Sequence, residues 1–177
     1  RVLVIDVGGL STDVGLFVEG VLQGSGVVPW GGLRLAAAVA RDFQVTMEQS
    51  LTWSLEGTAC RKAGVRTLVT DQWRALGEAI HALCADQPKP DAVVVTGRGA
   101  LIDGFAEWVE QATAMATVLG RSERLSRMAD LSRQVGVSHA VGLLELATRG
   151  IDSASHRSPR LFNRLIDQTR TILTEYF

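Results

Sequence analysis

Three observations predict an α/β fold for this chain. Three short apolar runs follow one another at its start with only tight turns between them. Each later strand-like run is separated from the next by a segment of helical period, and two of the strand ends open into glycine-rich turns. Together they describe a three-strand meander followed by α/β units that return to the same sheet.

The elements follow in order. Residues 2–7, VLVIDV, are an apolar run that fits a central strand. Val14, Leu16 and Val18 then alternate with Gly15, Phe17 and Glu19, and Glu19-Gly20 supplies a turn. VLQGSGVVPW (21–30) is a third strand closed by Pro29. GGLRLAAAVARDF (31–43) predicts a helix with Leu33, Ala36, Ala37, Ala40 and Phe43 inward, and 46–56 a second helix. RTLVT (66–70) reads as a short extended piece. DQWRALGEAIHALCAD (71–86) reads as a helix with Asp71 as N-cap and Trp73, Leu76, Ile80, Leu83 and Cys84 inward. QPKP (87–90) is a stiff connection into a buried strand, DAVVVTG (91–97). A helix from about Leu101 to Ala114 carries Phe105, Trp108, Val109 and Ala112 at helical spacing, and MATVLG (115–120) is a short strand. SRMADLSRQVG (126–136) reads as broken helix, and SHAVGLLELATRG (138–150) as a helix capped by Ser138 and stopped by Gly150. There is no internal repeat.

The 177 residues suffice for one domain with a real core plus an appendage. A net charge of −1 gives no electrostatic footprint for nucleic acid, so none is expected as a partner. Cys60 and Cys84 lack metal-ligand spacing and fit a reduced protein with small buried thiols. No apolar run approaches the ~18 residues of a membrane-spanning helix. Arg1 leads straight into a strand without a signal sequence, so the chain reads as an excerpt of something longer.

The chemistry concentrates in two glycine loops. In DVGGLSTD (6–13), Gly8 and Gly9 let the backbone turn sharply and expose N–H groups that can cup an anion. Ser11 and Thr12 add hydroxyl donors, while Asp6 and Asp13 are placed to hold, through water, the Mg²⁺ that accompanies phosphates. In VVVTGRGALIDG (93–104), Gly97, Arg98 and Gly99 form a strand-to-helix turn suited to a phosphate or an adenine edge. Bland readings stand beside both: a glycine hairpin with solvated polar residues, and an ordinary β–α connection.

The order of these features resembles the actin/Hsp70/sugar-kinase superfamily, an actin-like (ribonuclease H-like) fold, and within it the bacterial cell-division protein family FtsA. DVGGLSTD is similar to that family's second phosphate loop, D-I-G-G-G-T-T-D. VPWGG resembles its I-P-x-G-G, VVVTGRGALIDGF its adenosine loop, and SHAVGLLE its A-T-A-x-G-L-L helix. The resemblance covers about residues 1–149. It implies that 1–150 is the second nucleotide-binding subdomain, with a reduced insert at about 33–90, and that ATP and Mg²⁺ are the cofactors. It also implies self-association into filaments and a tubulin-like FtsZ filament as partner. Three positions depart from the pattern: Leu10 and Arg98 replace family glycines, and the Lys of the family's A-E-x-x-K stretch has no counterpart near Ser50 and Trp53. Arg98 can contact a phosphate or fill the space a purine needs. Half a nucleotide site with these changes predicts weak or absent ATP hydrolysis.

Residues 151–160 read as a flexible linker. Beyond it, Leu161, Phe162, Leu165, Ile166, Ile172, Leu173, Tyr176 and Phe177 form one apolar stripe at helical spacing, broken by Thr169. Seventeen helical residues are about 25 Å long. Such a helix docks back on the domain, fills a partner's groove, or lies in the plane of a membrane. FtsA ends in a membrane helix after a linker, which implies the third. From Asp152 onward four arginines face two aspartates and one glutamate, so apolar insertion into inner-membrane lipid must dominate over charge. The implied location is the cytoplasmic face of the inner membrane, at the division septum. The alternatives are a PilM-like pilus-assembly platform, an actin-fold scaffold without nucleotide, and a sugar-kinase or ATPase fragment. No catalytic residue is identifiable; His81, His139 and His156 read as ordinary helix or linker residues.

Overall fold

The computed structural model describes residues 1–55, 63–85, 87–121 and 135–153. It falls into two units, 1–139 and 140–177. The first is built on five strands: β1 (Val2–Val7), β2 (Thr12–Val18), β3 (Val21–Val28), β4 (Ala92–Thr96) and β5 (Thr117–Leu119). Their order is β3-β2-β1-β4-β5. The meander strands pair antiparallel, while β4 and β5 join in parallel, the arrangement expected of strands delivered by helical crossovers. β1 is therefore the centre of the sheet, and its apolar sequence is what a central strand requires.

Alternation divides the sheet into two faces. Leu3, Ile5 and Val7 of β1, Val14 and Leu16 of β2, Val28 of β3, and Val93 and Val95 of β4 are buried in one core. Helices α1 (Gly32–Phe43), α2 (Met47–Leu55), α3 (Ala63–Cys84) and α4 (Phe105–Thr113) accompany this sheet. α1 contributes Leu35 and Val39 to the core, α3 contributes Val65, Val69, Trp73, Leu76 and Ile80, and α4 contributes Phe105 and Val109. α2 is held by polar bonds. Thr46 and Gln49 cap its start reciprocally, each side chain accepting from the other's backbone N–H at 3.1 Å. Buried Ser50 donates to the Ala36 carbonyl of α1 at 2.7 Å.

The expected strands, the turn at Glu19-Gly20 and the helix at 46–56 are present. Four expectations within residues 31–114 are corrected. RTLVT is not extended: it lies inside α3, because Val65, Val69, Trp73, Leu76 and Ile80 form a continuous helical stripe whose burial outweighs the β propensity of Thr and Val. Asp71 is consequently no N-cap but a mid-helix residue, ion-paired with Arg74 at 3.1 Å. The inward face of α1 is Leu35, Ala36, Ala38 and Val39, with Leu33 and Ala37 exposed; alanine is too small to mark a face by itself. The helix expected from Leu101 begins instead as a 3-10 turn (Arg98–Leu101) and becomes α-helical only at Phe105, with Ala112 exposed.

The remaining described helix, α5 (Ser138–Ser153), passes through Gly150 rather than stopping there. A helical glycine costs only about 1 kcal/mol relative to alanine, too little to end the helix alone. Ser138 is the first helical residue, and its hydroxyl donates backward to the Val135 carbonyl at 2.8 Å. Leu143, Leu144 and Leu146 of this helix are exposed. Leu161, Phe162, Leu165, Ile166, Ile172, Leu173, Tyr176 and Phe177 lie outside the described residues, as do 126–134 of the predicted broken helix.

At the start of β1 the Arg1 guanidinium forks onto Asp91, Nη2 to Oδ1 at 2.8 Å and Nε to Oδ2 at 3.2 Å. That fork holds the Asp91 carboxyl down to about 2. Its stabilisation is therefore present above the ordinary carboxylate range and is lost as pH falls toward 2. Carboxyl ¹³C shifts followed against pH should place the Asp91 midpoint near 2, and Arg1→Ala should return it to about 4.

Candidate functional site: two glycine loops at one sheet end

β1 and β4 are parallel neighbours with Asp6 opposite Thr96, so the loops that leave them emerge at the same end of the sheet. In the first loop the Gly8 N–H donates to the Ser11 carbonyl at 2.9 Å, closing a tight turn. The carbonyls of Gly8 and Gly9 point the other way and accept the N–H groups of Gly32 (3.0 Å) and Leu33 (2.9 Å). Those two bonds cap α1, whose N-cap Gly31 has no side chain to do it. With its carbonyls so committed, the loop leaves the N–H groups of Gly9 and Leu10 without a partner among the described residues. Consecutive free N–H groups in a turn are an anion-binding concavity.

The second loop is pressed against the first. Gly97 has φ 81°, a left-handed conformation, and a Cβ there would strike Asp6 Oδ1 and the Val7 carbonyl. A Cβ at Gly99 would strike Val7 Cγ1, and one at Gly31 would strike the Gly9 carbonyl. Gly32 completes the junction, with a would-be Cβ 3.7 Å from the Gly99 Cα. The backbones of loops about 90 residues apart in sequence thus touch because no side chain stands between them.

The candidate side chains divide into those at the junction and those turned from it. Asp6 and Asp13 are cross-strand partners, so they share the sheet face opposite the buried core. Asp6 is 22% exposed at its side chain, and its Oδ2 lies 3.2 Å from His139 Nδ1. Ser138 is bonded to Thr96 through their hydroxyls at 2.7 Å, which pins the chain leading into α5 beside both loops. Thr12, by contrast, is fully buried, and its hydroxyl donates to the Trp30 carbonyl at 2.8 Å. That hydroxyl latches β2 to the segment before α1 and does not face the junction. Trp30 is fixed in turn by Nε1–H to Gln72 Oε1 at 3.3 Å. Ser11 is half-buried, and Leu10 stands out from the loop tip, 80% exposed.

Arg98 is exposed, with its stem against Gly136, whose would-be Cβ lies 3.2 Å from Arg98 Cγ. Its guanidinium makes no hydrogen bond or ion pair among the described residues. His139 was read from sequence as an ordinary helix residue and is instead at the site. No spacing signal marks it, because its partner Asp6 is 133 residues away.

Among the described residues no three His, Cys, Asp or Glu side chains converge to hold a metal directly. Two carboxylates on one face fit a Mg²⁺ that keeps its own water, held indirectly. Among the described residues no helix is long and apolar enough to cross a membrane.

No protein-family model and no curated protein matches this chain. Its fold is nevertheless that of solved structures. The ethanolamine utilization protein EutJ from Carboxydothermus hydrogenoformans matches with TM-score 0.58 at 17% identity, covering 76% of this chain and 48% of that one. The PilM-PilN type IV pilus biogenesis complex matches with TM-score 0.66 at 15% identity, covering 80% and 44%. MreB 5 of Spiroplasma citri bound to AMPPNP matches with TM-score 0.66 at 12% identity, covering 86% and 55%. The fold is actin-like, and the chain spans about half the length of these structures.

Close backbone contact makes the junction intolerant of side chains. Gly97→Ala should destabilise the protein by about 2–3 kcal/mol in urea unfolding, since strain and overlap with backbone combine there. Gly142→Ala is the control: its Cβ would meet nothing within 4 Å, and a neutral or slightly stabilising effect is expected.

Proposed function

We propose that this chain is the second lobe of an actin-like, nucleotide-binding assembly protein of FtsA type, which anchors FtsZ-type filaments to the inner membrane. The observation that carries the nucleotide part is the junction itself. The N–H groups of Gly9 and Leu10, without partners among the described residues, the close approach of Gly97 and Gly99 to Asp6 and Val7, and two carboxylates on one face are the parts a Mg-nucleotide grip needs.

In this reading Gly8, Gly9, Ser11, Gly97, Arg98 and Gly99 surround the phosphates and nucleoside. Asp6 and Asp13 hold the hydrated ion, and Thr12 contributes by fixing the loop's base rather than by touching ligand. Mg²⁺, when bound, neutralises phosphate charge; the protein's own part is to position and hold. The missing lobe would supply any attacking water, so the chain binds ATP with little or no hydrolysis. Residues 33–90 take the place of the partner-binding insert; the linker expected at 151–160 is corrected at its start, since 151–153 continue α5, and the residues from 154 to 160 act as a tether. The stripe of 161–177 lies on the lipid surface of the division septum. Self-association would place many such helices in a row, raising retention by roughly 10² to 10⁴ through avidity.

A pilus-platform role is the second reading, favoured by the likeness to the PilM-PilN complex. The terminal stripe separates the two.

Full-length protein should bind a fluorescent ATP analogue saturably, and Asp13→Ala should weaken that binding about tenfold, or ~1.4 kcal/mol. Absence of saturable binding by the unmodified protein would leave a scaffold without nucleotide. Flotation with anionic liposomes tests the other end: Phe162→Asp and Leu173→Asp should each abolish co-flotation. Variants that float as well as the parent would reject the membrane tether and turn the assignment toward the pilus platform.

A further inference from the structure

The charge around the junction is the wrong sign for a phosphate. Asp6 and Asp13 share its open face, and the N–H groups of Gly9 and Leu10 carry only partial charges. Arg98 is the one cationic side chain of the two loops, and it makes no ion pair or hydrogen bond among the described residues. Elsewhere in the first unit Arg1 pairs with Asp91, Arg41 with Asp42 and Arg74 with Asp71.

The stem of Arg98 is also guided. Its Cγ and Cδ lie against Gly136, within 3.2 and 3.7 Å of where a Cβ would stand. Gly136 is two residues before Ser138, which is bonded to Thr96, and three before His139, which touches Asp6. The stem of Arg98 thus runs along the segment that leads into α5, whose next residues meet Thr96 and Asp6. Of the two roles open to it, filling a purine's space or meeting a phosphate, a guanidinium without a partner among the described residues favours the second: it is a strong, forked donor for phosphate oxygens.

We propose that Arg98 is a fixed cation for the ligand's phosphates, taking over part of the charge neutralisation otherwise left to a divalent ion. It follows that nucleotide binding persists when divalent ions are removed. The inference rests on the nucleotide-binding reading of the same junction.

The test is the affinity of a fluorescent ADP analogue for the full-length protein, in Mg²⁺ and in EDTA, for the parent, Arg98→Gln and Arg98→Lys. Gln keeps most of the stem on Gly136 and removes the charge; Lys keeps the charge. The parent should lose less than tenfold on removing Mg²⁺. Arg98→Gln should lose at least tenfold more in EDTA than in Mg²⁺, and Arg98→Lys should stay near the parent. Binding by the parent in EDTA should also weaken with salt more steeply than the residual binding of Arg98→Gln. A parent that binds only with Mg²⁺, or an Arg98→Gln variant with the parent's Mg²⁺ ratio, overturns the inference and leaves the nucleotide reading standing. A parent that fails to bind even with Mg²⁺ overturns both.

Discussion

The pair of bonds from the N–H groups of Gly32 and Leu33 to the carbonyls of Gly8 and Gly9 organises the functional end of this molecule. A helix start needs acceptors for its first N–H groups, and Ser, Thr, Asp or Asn at the N-cap usually provides one. Here the residue is Gly31, and the acceptors come from a loop over 20 residues earlier. Turning two carbonyls into the helix forces the intervening amides outward. Gly31 has to be glycine because the Gly9 carbonyl occupies the space of its Cβ. One constraint therefore caps a helix, shapes a turn and presents donors to a ligand.

The second loop is placed by packing, with one backbone bond from the Asp103 N–H to the Ser54 carbonyl of α2 at 3.4 Å. Trp73 of α3 meets Phe105 edge-on, with ring centroids 5.5 Å apart, and lies 5.7 Å from Trp108. Such aromatic pairs contribute about 0.5–1.5 kcal/mol each beyond their buried area. They fix the start of α4 against α3, and with it the 97–104 segment that links α4 to β4. The Thr96–Ser138 and Asp6–His139 contacts then bring the start of α5 to the same place. Four segments far apart in sequence converge on a few ångströms of backbone, and the glycines are what let them do so.

Much of this was legible in the sequence, for a physical reason in each case. The meander and β4 were readable because apolar alternation and tight turns are local signals. The two loops were readable because paired glycines at a strand end, beside Asp, Ser, Thr or Arg, are a local signal. The face of α1 was misread because alanines carry little information about burial, and the decisive residues were Leu35 and Val39. RTLVT was misread because five residues rich in Thr and Val look extended in isolation; only a window from Val65 to Ile80 reveals the helical stripe. Thr12 looked like a ligand donor because nothing in its neighbourhood shows that the Trp30 carbonyl takes its hydroxyl. His139 and Ser138 were invisible as site residues, since their partners belong to other strands and the contacts exist only in three dimensions.

The chain's departures from its resemblance now have places in space. Leu10 crowns the loop tip, 80% exposed, and Arg98 lies with its stem on Gly136 and no ion pair or hydrogen bond among the described residues. In the proposed reading both changes retune the grip formed by the two loops. The central claim is that two loops form one anion site. It is tested most directly by backbone amide chemical shifts during titration with ADP and Mg²⁺. The account predicts that Gly9, Leu10, Arg98 and Gly99 shift together and saturate with a single dissociation constant. Movement of one loop alone, or of amides at the opposite end of the sheet, would contradict it.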